Sequence, residues 1–131
     1  QACLGNFDIS DLLKNIFFEF HEIARSRGIH FHTSLCHYTV SSDALLVERV
    51  IRNLLSNAFK YTRSKVLLGC KRIFDEFYQS RNINDNSRSG AGLGLSIVRR
   101  ISDILGLDIS VDSRPGRGSS FSFLLPLEKG T

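Results

Sequence analysis

Two hydrophobic periods follow each other in the first third of the chain, and they constrain the fold most. Between residues 10 and 27 the apolar residues recur every three or four positions, the period of a helix with one buried face. From 29 to 35 apolar and polar residues alternate, as in a half-buried strand, and a hairpin-like return is expected through 38–40. A helix followed directly by strands predicts a fold that mixes α and β elements.

The rest of the chain continues this mixture of elements. A long helix is predicted up to about Thr62, with Leu46, Val50, Leu54, Ala58 and Phe59 as its core stripe. Further on, the patterns predict a strand at 65–70, a short helix at 73–78, a polar loop at 79–91, a helix at 92–105 and strands at 108–112 and 119–127. In the helix at 92–105, the residues expected to face inward are Leu95, Val98, Ile101, Ile104 and Leu105.

Helix ends are marked by capping residues. Asp8 or Ser10 can cap the first helix, and Gly28 can end it. The second helix has Ser42 or Asp43 at its start. With 131 residues and 42% hydrophobic composition the chain fits one domain, residues 1–131. The expected class is α+β, a two-layer α/β sandwich with about three helices on one face of a mixed, mostly antiparallel sheet.

Charge and cysteine content narrow the function classes. The net charge of +4 fits an anionic ligand such as phosphate, and the scattered basic residues predict no nucleic acid partner. No run approaches the ~20 apolar residues of a membrane span, so we expect no direct membrane contact. Cys3, Cys36 and Cys70 are odd in number and far apart, which argues against a disulfide framework and favours a reducing cytoplasm.

One face of the second helix carries polar residues at helical spacing. Asn53, Asn57 and Lys60 or Tyr61 lie three or four positions apart, and we expect them opposite the Leu54 stripe. An amide oxygen suits Mg²⁺, and an ammonium group neutralises phosphate oxygens. The face therefore predicts a site for a metal nucleotide, although the spacing alone also fits a solvated polar face.

Glycines cluster at two other places. Residues 90–94, Gly-Ala-Gly-Leu-Gly, precede a predicted helix, where backbone N–H groups can approach an anion; an ordinary loop hinge is the alternative. Residues 116–120 place two hydroxyl groups at the start of the last strand, which a plain tight turn also explains. A third cluster, His30, His32, Cys36 and His37, invites a zinc hypothesis, but the strand pattern already explains the first two residues.

Together these segments resemble the ATP-binding catalytic domain of sensor histidine kinases, within the superfamily shared with DNA gyrase. Residues 53–62 resemble its asparagine box, 73–79 its phenylalanine box, 90–98 its glycine box and 116–126 its closing hairpin. The resemblance implies a Bergerat-type fold, with 79–91 as an ATP lid and with ATP and Mg²⁺ as cofactors. It implies catalytic roles for Asn57 and Lys60, with Asn57 as the metal ligand. The nucleotide-binding residues it implies are Asn53, Asn57, Lys60, Tyr61, Gly90, Gly92, Gly94, Leu95 and Ser119.

Asn53 also separates the kinases of this superfamily from its ATPases. The ATPase relatives have a water-activating glutamate at the place of Asn53, one turn before the metal asparagine. An amide cannot act as a general base, so ATP should survive as a phosphoryl donor. The resemblance then implies two partners, the histidine-bearing dimerisation domain of the parent kinase and a response regulator.

One departure from the family pattern leaves a second function open. Family members place a strand and a D-x-G-x-G box between the asparagine and phenylalanine boxes, and its aspartate accepts the adenine amino group. Here Arg72 runs directly into Ile73 and no D-x-G occurs, so roughly two dozen residues are missing, about one strand and a loop. The alternative is therefore a pseudokinase-like interaction module with impaired nucleotide binding, whose open sheet edge invites a homo-oligomer.

Overall fold

The structure is a computed structural model that describes residues 3–62, 64–70, 95–107, 109–114 and 118–127. In these residues the helices are α1 (Ile9–Arg27), α2 (Ala44–Tyr61) and α3 (Leu95–Leu105). The strands are β1 (Gly5–Asp8), β2 (His30–Ser34), β3 (Thr39–Ser42), β4 (Lys65–Gly69), β5 (Ser110–Arg114) and β6 (Gly118–Ser122). The predicted short helix at 73–78 and the polar loop at 79–91 lie outside the described residues.

The ends of α1 confirm the capping predictions. The Asp8 carboxylate accepts a hydrogen bond from the Ser10 backbone N–H at 2.8 Å, so Asp8 is the N-cap. Gly28 ends the helix with φ 68°, a left-handed conformation that glycine adopts without a Cβ clash, and its N–H donates to the Ala24 and Arg25 carbonyls. For α2 the N-cap is Asp43, and the C-cap is Thr62, where the helix was expected to end.

The described strands form two antiparallel pairs and one parallel pair, as expected for a mixed, mostly antiparallel sheet. β1 pairs with β3 and β5 with β6 in antiparallel register, whereas β2 and β4 are parallel. A bridge between Val40 and Leu127, with a 2.9 Å hydrogen bond from the Ser41 N–H to the Pro126 carbonyl, joins the chain's last described segment to β3.

The expected hairpin-like return after β2 is wrong. β3 pairs with β1, a four-residue strand that the sequence analysis did not predict, and the Ile9 N–H donates to the Tyr38 carbonyl at 3.1 Å. β2 pairs instead with β4, because the connection through β3 and α2 returns the chain to run parallel beside it.

The buried residues form two clusters that meet on α2. One face of α2 packs on α1 and the β2–β4 pair through Val47, Ile51, Leu55 and Phe59. On the adjoining face of α2, Val50 and Leu54 pack on Val98 and Ile101 of α3 and on Ile109, the residue before β5. Of the predicted core residues, Leu46 and Ala58 are only half-buried, and Ile104, expected to face inward, is 45% exposed because it lies at the rim of the contact with α2. The position of α2 is therefore fixed from two sides.

Cys36 and Cys70 depart from the expectation against a disulfide framework, because these two cysteines are bonded to each other. Their side chains form a disulfide bond, with the Cα atoms 5.8 Å apart, while Cys3 is free and exposed. The parallel register places Ser34 opposite Gly69, so both cysteines lie just beyond the same end of the β2–β4 pair. In the described part of the chain, no helix is long and apolar enough to cross a membrane.

The N-cap of α2 makes stability depend on pH. Asp43 accepts hydrogen bonds from the Cys3 N–H at 2.6 Å and the Leu46 N–H at 3.1 Å, and these bonds lower the pKa of its carboxyl group below 3.8. A carboxylate with a lowered folded-state pKa stabilises the fold above its unfolded pKa and loses that contribution as the pH falls through the folded value. We expect Asp43→Asn, which keeps an acceptor at the cap, to lose less stability than the native chain between pH 6 and pH 3.

Urea midpoints measured at both pH values check this expectation. Asp103→Asn, at an exposed position on α3, is the matched control and should follow the native chain. Equal acid losses in Asp43→Asn and the native chain would contradict the role assigned to Asp43.

Candidate functional site

Four polar side chains form a stripe along α2, which we call the polar stripe: Arg49, Asn53, Asn57 and Lys60. Since successive helical residues are rotated by about 100°, these positions fall within about 80° of one another. Asn53 and Asn57 are half-buried, and Arg49 and Lys60 are exposed. Tyr61 follows at the last turn and is 63% exposed.

The expectation that this stripe lies opposite Leu54 is wrong. Asn57 is rotated by only about 60° from Leu54, so the stripe borders the buried face that packs on α3. This position explains why both asparagines are half-buried instead of fully solvated. It also turns the polar stripe toward the space between α2 and α3.

The two asparagine side chains differ in their hydrogen bonds. The Asn53 Nδ2 group donates to the Arg49 carbonyl at 2.8 Å, one turn earlier, which holds the amide against its own helix. Within the described ranges no group hydrogen-bonds the Asn57 side chain. A half-buried amide of this kind can offer its oxygen to a metal ion or its N–H₂ group to an anion.

A groove of about 540 Å³ runs between α2 and α3. Its lining residues are Leu46, Arg49 and Asn53 from α2 and Ser96, Ile97, Arg100, Ile101 and Ile104 from α3. Two guanidinium groups and no carboxylate are among them, so the groove favours an anion. Arg49 and Arg100 were not among the predicted site residues. The i, i+4 spacing of Arg49 to Asn53 was a usable signal, whereas nothing in the sequence placed Arg100 near them.

Arg52, next to Asn53 in sequence, does not serve this groove. Its guanidinium group donates to the Glu48 carboxylate at 2.8 Å and to the Glu19 carboxylate on α1. The bond from Arg52 lowers the pKa of the Glu19 carboxyl group, and the bonds to Glu19 and Glu48 raise the pKa of Arg52. Arg52 therefore ties α2 to α1, and its charge is already compensated.

Known proteins share both the sequence pattern and the fold of this chain. Residues 67–129 match the family model of histidine kinase-, DNA gyrase B- and HSP90-like ATPases. The sensor histidine kinase TmoS of Ectopseudomonas mendocina is 33% identical over 147 residues, which cover 92% of this chain and 15% of TmoS. The chain belongs to this ATPase family. The sensor histidine kinase RcsC of Escherichia coli K12 is 31% identical over 112 residues, 67% of this chain and 12% of RcsC.

Solved structures, among them a histidine kinase catalytic domain, have the same fold as this chain. Full-length ShkA in complex with AMPPNP superposes with a TM-score of 0.78 at 26% identity, covering 97% of this chain and 32% of ShkA. The catalytic domain of ThkA gives a TM-score of 0.75 at 22% identity and covers 95% of this chain and 97% of that domain. The expected α+β fold of histidine kinase type is thereby confirmed. This ATPase domain spans only a small part of the curated sensor kinases that it matches.

The alignment with TmoS also measures what the chain lacks relative to the family. It spans 147 residues, although only 92% of a 131-residue chain takes part, so about two dozen TmoS residues have no counterpart here. This length agrees with the prediction that a strand and a D-x-G-x-G box are missing between Arg72 and Ile73. The loss of the adenine-recognising aspartate stays a prediction.

Several predicted site residues of this ATPase domain are not placed by the structure. Gly90, Gly92 and Gly94 lie outside the described residues. Leu95 is the first residue of α3, and Ser119 lies in β6 opposite Ser113 on β5. How these five residues are arranged around Asn57 stays a prediction.

The histidine and cysteine cluster divides into separate contacts. The rings of His30 and His32 stack with centroids 6.5 Å apart, and the His37 Nδ1 atom lies 3.1 Å from the Ser10 hydroxyl oxygen. Cys36 is bonded to Cys70. Searched over the residues that the structure describes, no group of three or more candidate ligands is arranged to hold a metal ion.

Proposed function

We propose that this chain is the ATP-binding domain of a two-component sensor histidine kinase and holds Mg²⁺ and ATP on the polar stripe of α2. One observation carries the proposal. The Asn57 side chain is half-buried and has no hydrogen-bond partner among the described residues. It lies on the polar stripe, and Asn53 of the same stripe lines the cationic groove. The bound metal nucleotide supplies the phosphoryl group for transfer to a histidine. The solved ShkA complex with AMPPNP supports a nucleotide in this fold.

The residues of the polar stripe would have different roles in binding the metal and the nucleotide. The Asn57 amide oxygen would ligate Mg²⁺, and Lys60 would neutralise phosphate oxygens, which are the two catalytic roles. Asn53 and Tyr61 would contact the nucleotide, while Gly90, Gly92, Gly94, Leu95 and Ser119 would complete its binding site. The described residues that line the groove hold amide and guanidinium groups but no carboxylate, so none of these residues can activate water as a general base.

Binding of Mg·ADP tests the proposal directly. We expect saturable heat in a calorimetric titration at up to millimolar nucleotide, with ADP and GDP bound within about tenfold of each other. This low selectivity follows because the chain lacks the aspartate whose unpaired state would penalise the wrong base. Absence of heat at millimolar Mg·ADP would reject nucleotide binding by this chain.

The apolar residues that line the groove suggest how the histidine-bearing dimerisation domain is reached. Leu46, Ile97 and Ile104 are among them, and both isoleucines are nearly half exposed. An exposed apolar strip between two helices fits one face of a partner helix. A solved complex of ThkA with the response regulator TrrA supports a response regulator as a further partner of the assembled kinase.

Ile104→Glu is expected to separate nucleotide binding from phosphoryl transfer to the dimerisation domain. A carboxylate at the rim of the apolar strip should lower phosphoryl transfer to a separately added dimerisation domain at least tenfold, because that contact would bury a charge. Mg·ADP binding should fall much less than phosphoryl transfer, because Asn57 and Lys60 are untouched and solvent screens a carboxylate at the exposed Ile104 position. Leu45→Glu, at an exposed position of α2 outside the groove, is the control. Equal transfer by the native chain and Ile104→Glu would contradict this docking surface.

A pseudokinase-like interaction module is the second candidate function. It is favoured by the missing box together with an open strand edge: β4 pairs with β2, and no other described strand pairs with it. Its partner would then be another protein or a second copy of this chain. A mass that rises with concentration, without response to nucleotide, would favour this function, whereas selective and tight adenine nucleotide binding would eliminate it.

A further inference from the structure

Two cysteines outside the nucleotide site meet at one end of the β2–β4 pair. Cys36 follows β2 by two residues, and Cys70 directly follows β4. Both are half-buried, so small molecules in solution can reach the pair. The third cysteine, Cys3, is exposed and unpaired in the same chain, and it provides an internal comparison.

Hydrogen bonds and the strand register hold the two cysteines close together, in addition to the bond between their sulfur atoms. The Cys70 N–H donates to the Ser34 carbonyl at 2.9 Å, which extends the parallel ladder by one residue. The Cys36 N–H lies 3.1 Å from the Cys70 Sγ atom and donates to it. With Cα atoms 5.8 Å apart, the separation lies at the common value for disulfides. The pair is therefore positioned to close and to reopen without rearranging the strands.

We propose that Cys36 and Cys70 form a reversible redox site that responds to low-molecular-weight disulfides and thiols. One cysteine thiolate attacks a small disulfide, which forms a mixed disulfide and releases one small thiol. The other cysteine thiolate then attacks the mixed disulfide, forms the Cys36–Cys70 bond and releases the second small thiol. The protein gives up two electrons to the small disulfide, and the two thiol protons pass to the released thiolates.

The bond closes a loop of the chain that contains the proposed nucleotide helix. The cysteines are 34 positions apart, and β3 and α2 lie between them. Closing a loop of this length restricts the unfolded chain, which corresponds to a rise in Tm of roughly 10 °C for a domain of this size. Oxidation would thus stabilise the fold that presents the polar stripe, and reduction would remove this stabilisation.

Thiol trapping of the native chain in glutathione buffers of graded redox ratio tests the proposal. We expect oxidising buffers to remove two of the three alkylatable thiols, a tryptic map to link Cys36 to Cys70, and Tm to rise by roughly 10 °C. Excess dithiothreitol should reverse all three changes in the folded protein. A chain that never forms this bond, or one whose bond is reduced only after unfolding, would overturn the proposal.

Serine variants separate the pair from the exposed cysteine. Cys3→Ser should keep the full redox response of Tm, whereas Cys36→Ser and Cys70→Ser should each abolish it. A response that survives in a folded Cys36→Ser chain would overturn the assignment. If the single variants do not fold, the linkage map and the reductant titration of Cys3→Ser decide the question, because Cys36 and Cys70 are then the only thiols present.

Discussion

Replacing Asn57 with alanine is expected to weaken Mg·ADP binding by about 100-fold or more. Loss of even an outer-shell partner of a metal typically costs 10- to 100-fold in metal affinity, and alanine at this position removes the proposed ligand itself. The Asn57 side chain makes no hydrogen bond within the described residues, and alanine favours helix, so the fold should keep its stability. Calorimetric titration of both chains under identical Mg²⁺ concentrations measures the difference.

Asn15→Ala is the matched control for this substitution. Asn15 is an exposed asparagine on α1, and its removal should leave nucleotide binding unchanged. Comparable thermal melts of the three chains would show that any loss of binding arises at the site. If Asn57→Ala binds Mg·ADP as tightly as the native chain, the polar stripe does not hold the metal.

Local sequence patterns predicted most of the helices and strands correctly. The errors concern which elements pair over long sequence distances. The periods and caps of α1 and α2 are local, so both helices were predicted nearly to their ends. The partner of β3 depends on β1, more than 30 residues away, and an alternation pattern does not name a partner. Helical periodicity likewise predicted that Ile104 faces inward. It could not show that Ile104 lies at the rim of the contact between α3 and α2.

The candidate site shows the same division between local and distant information. The spacing of Asn53, Asn57 and Lys60 fixes one helical face, which the sequence reveals. Arg100 joins that face only because Val98 and Ile101 pack against Val50 and Leu54, and no spacing rule connects residues so far apart. The Cys36–Cys70 bond was missed for the same reason, because the parallel register of β2 and β4 creates it.

Replacing Phe59 with alanine is expected to cost about 3–5 kcal/mol of unfolding free energy, the largest stability effect that we predict. Phe59 is 3% exposed, and its ring meets those of Phe20 and Phe31 edge-on at centroid distances of 5.6 and 5.1 Å. Alanine would leave a cavity where α1, α2 and β2 meet. Since small domains are stable by only about 5–15 kcal/mol, a large share of the stability would be lost.

Phe18→Ala separates this packing effect from the loss of an aromatic residue as such. Phe18 is 67% exposed on α1, so we expect its substitution to change the unfolding free energy by less than about 1 kcal/mol. Urea denaturation of both variants measures the contrast, and similar losses would contradict the described core. Because Phe59 anchors the last turns of α2, which carry Asn57 and Lys60, partial unfolding of Phe59→Ala should also weaken Mg·ADP binding, and low temperature should restore it as the folded fraction recovers.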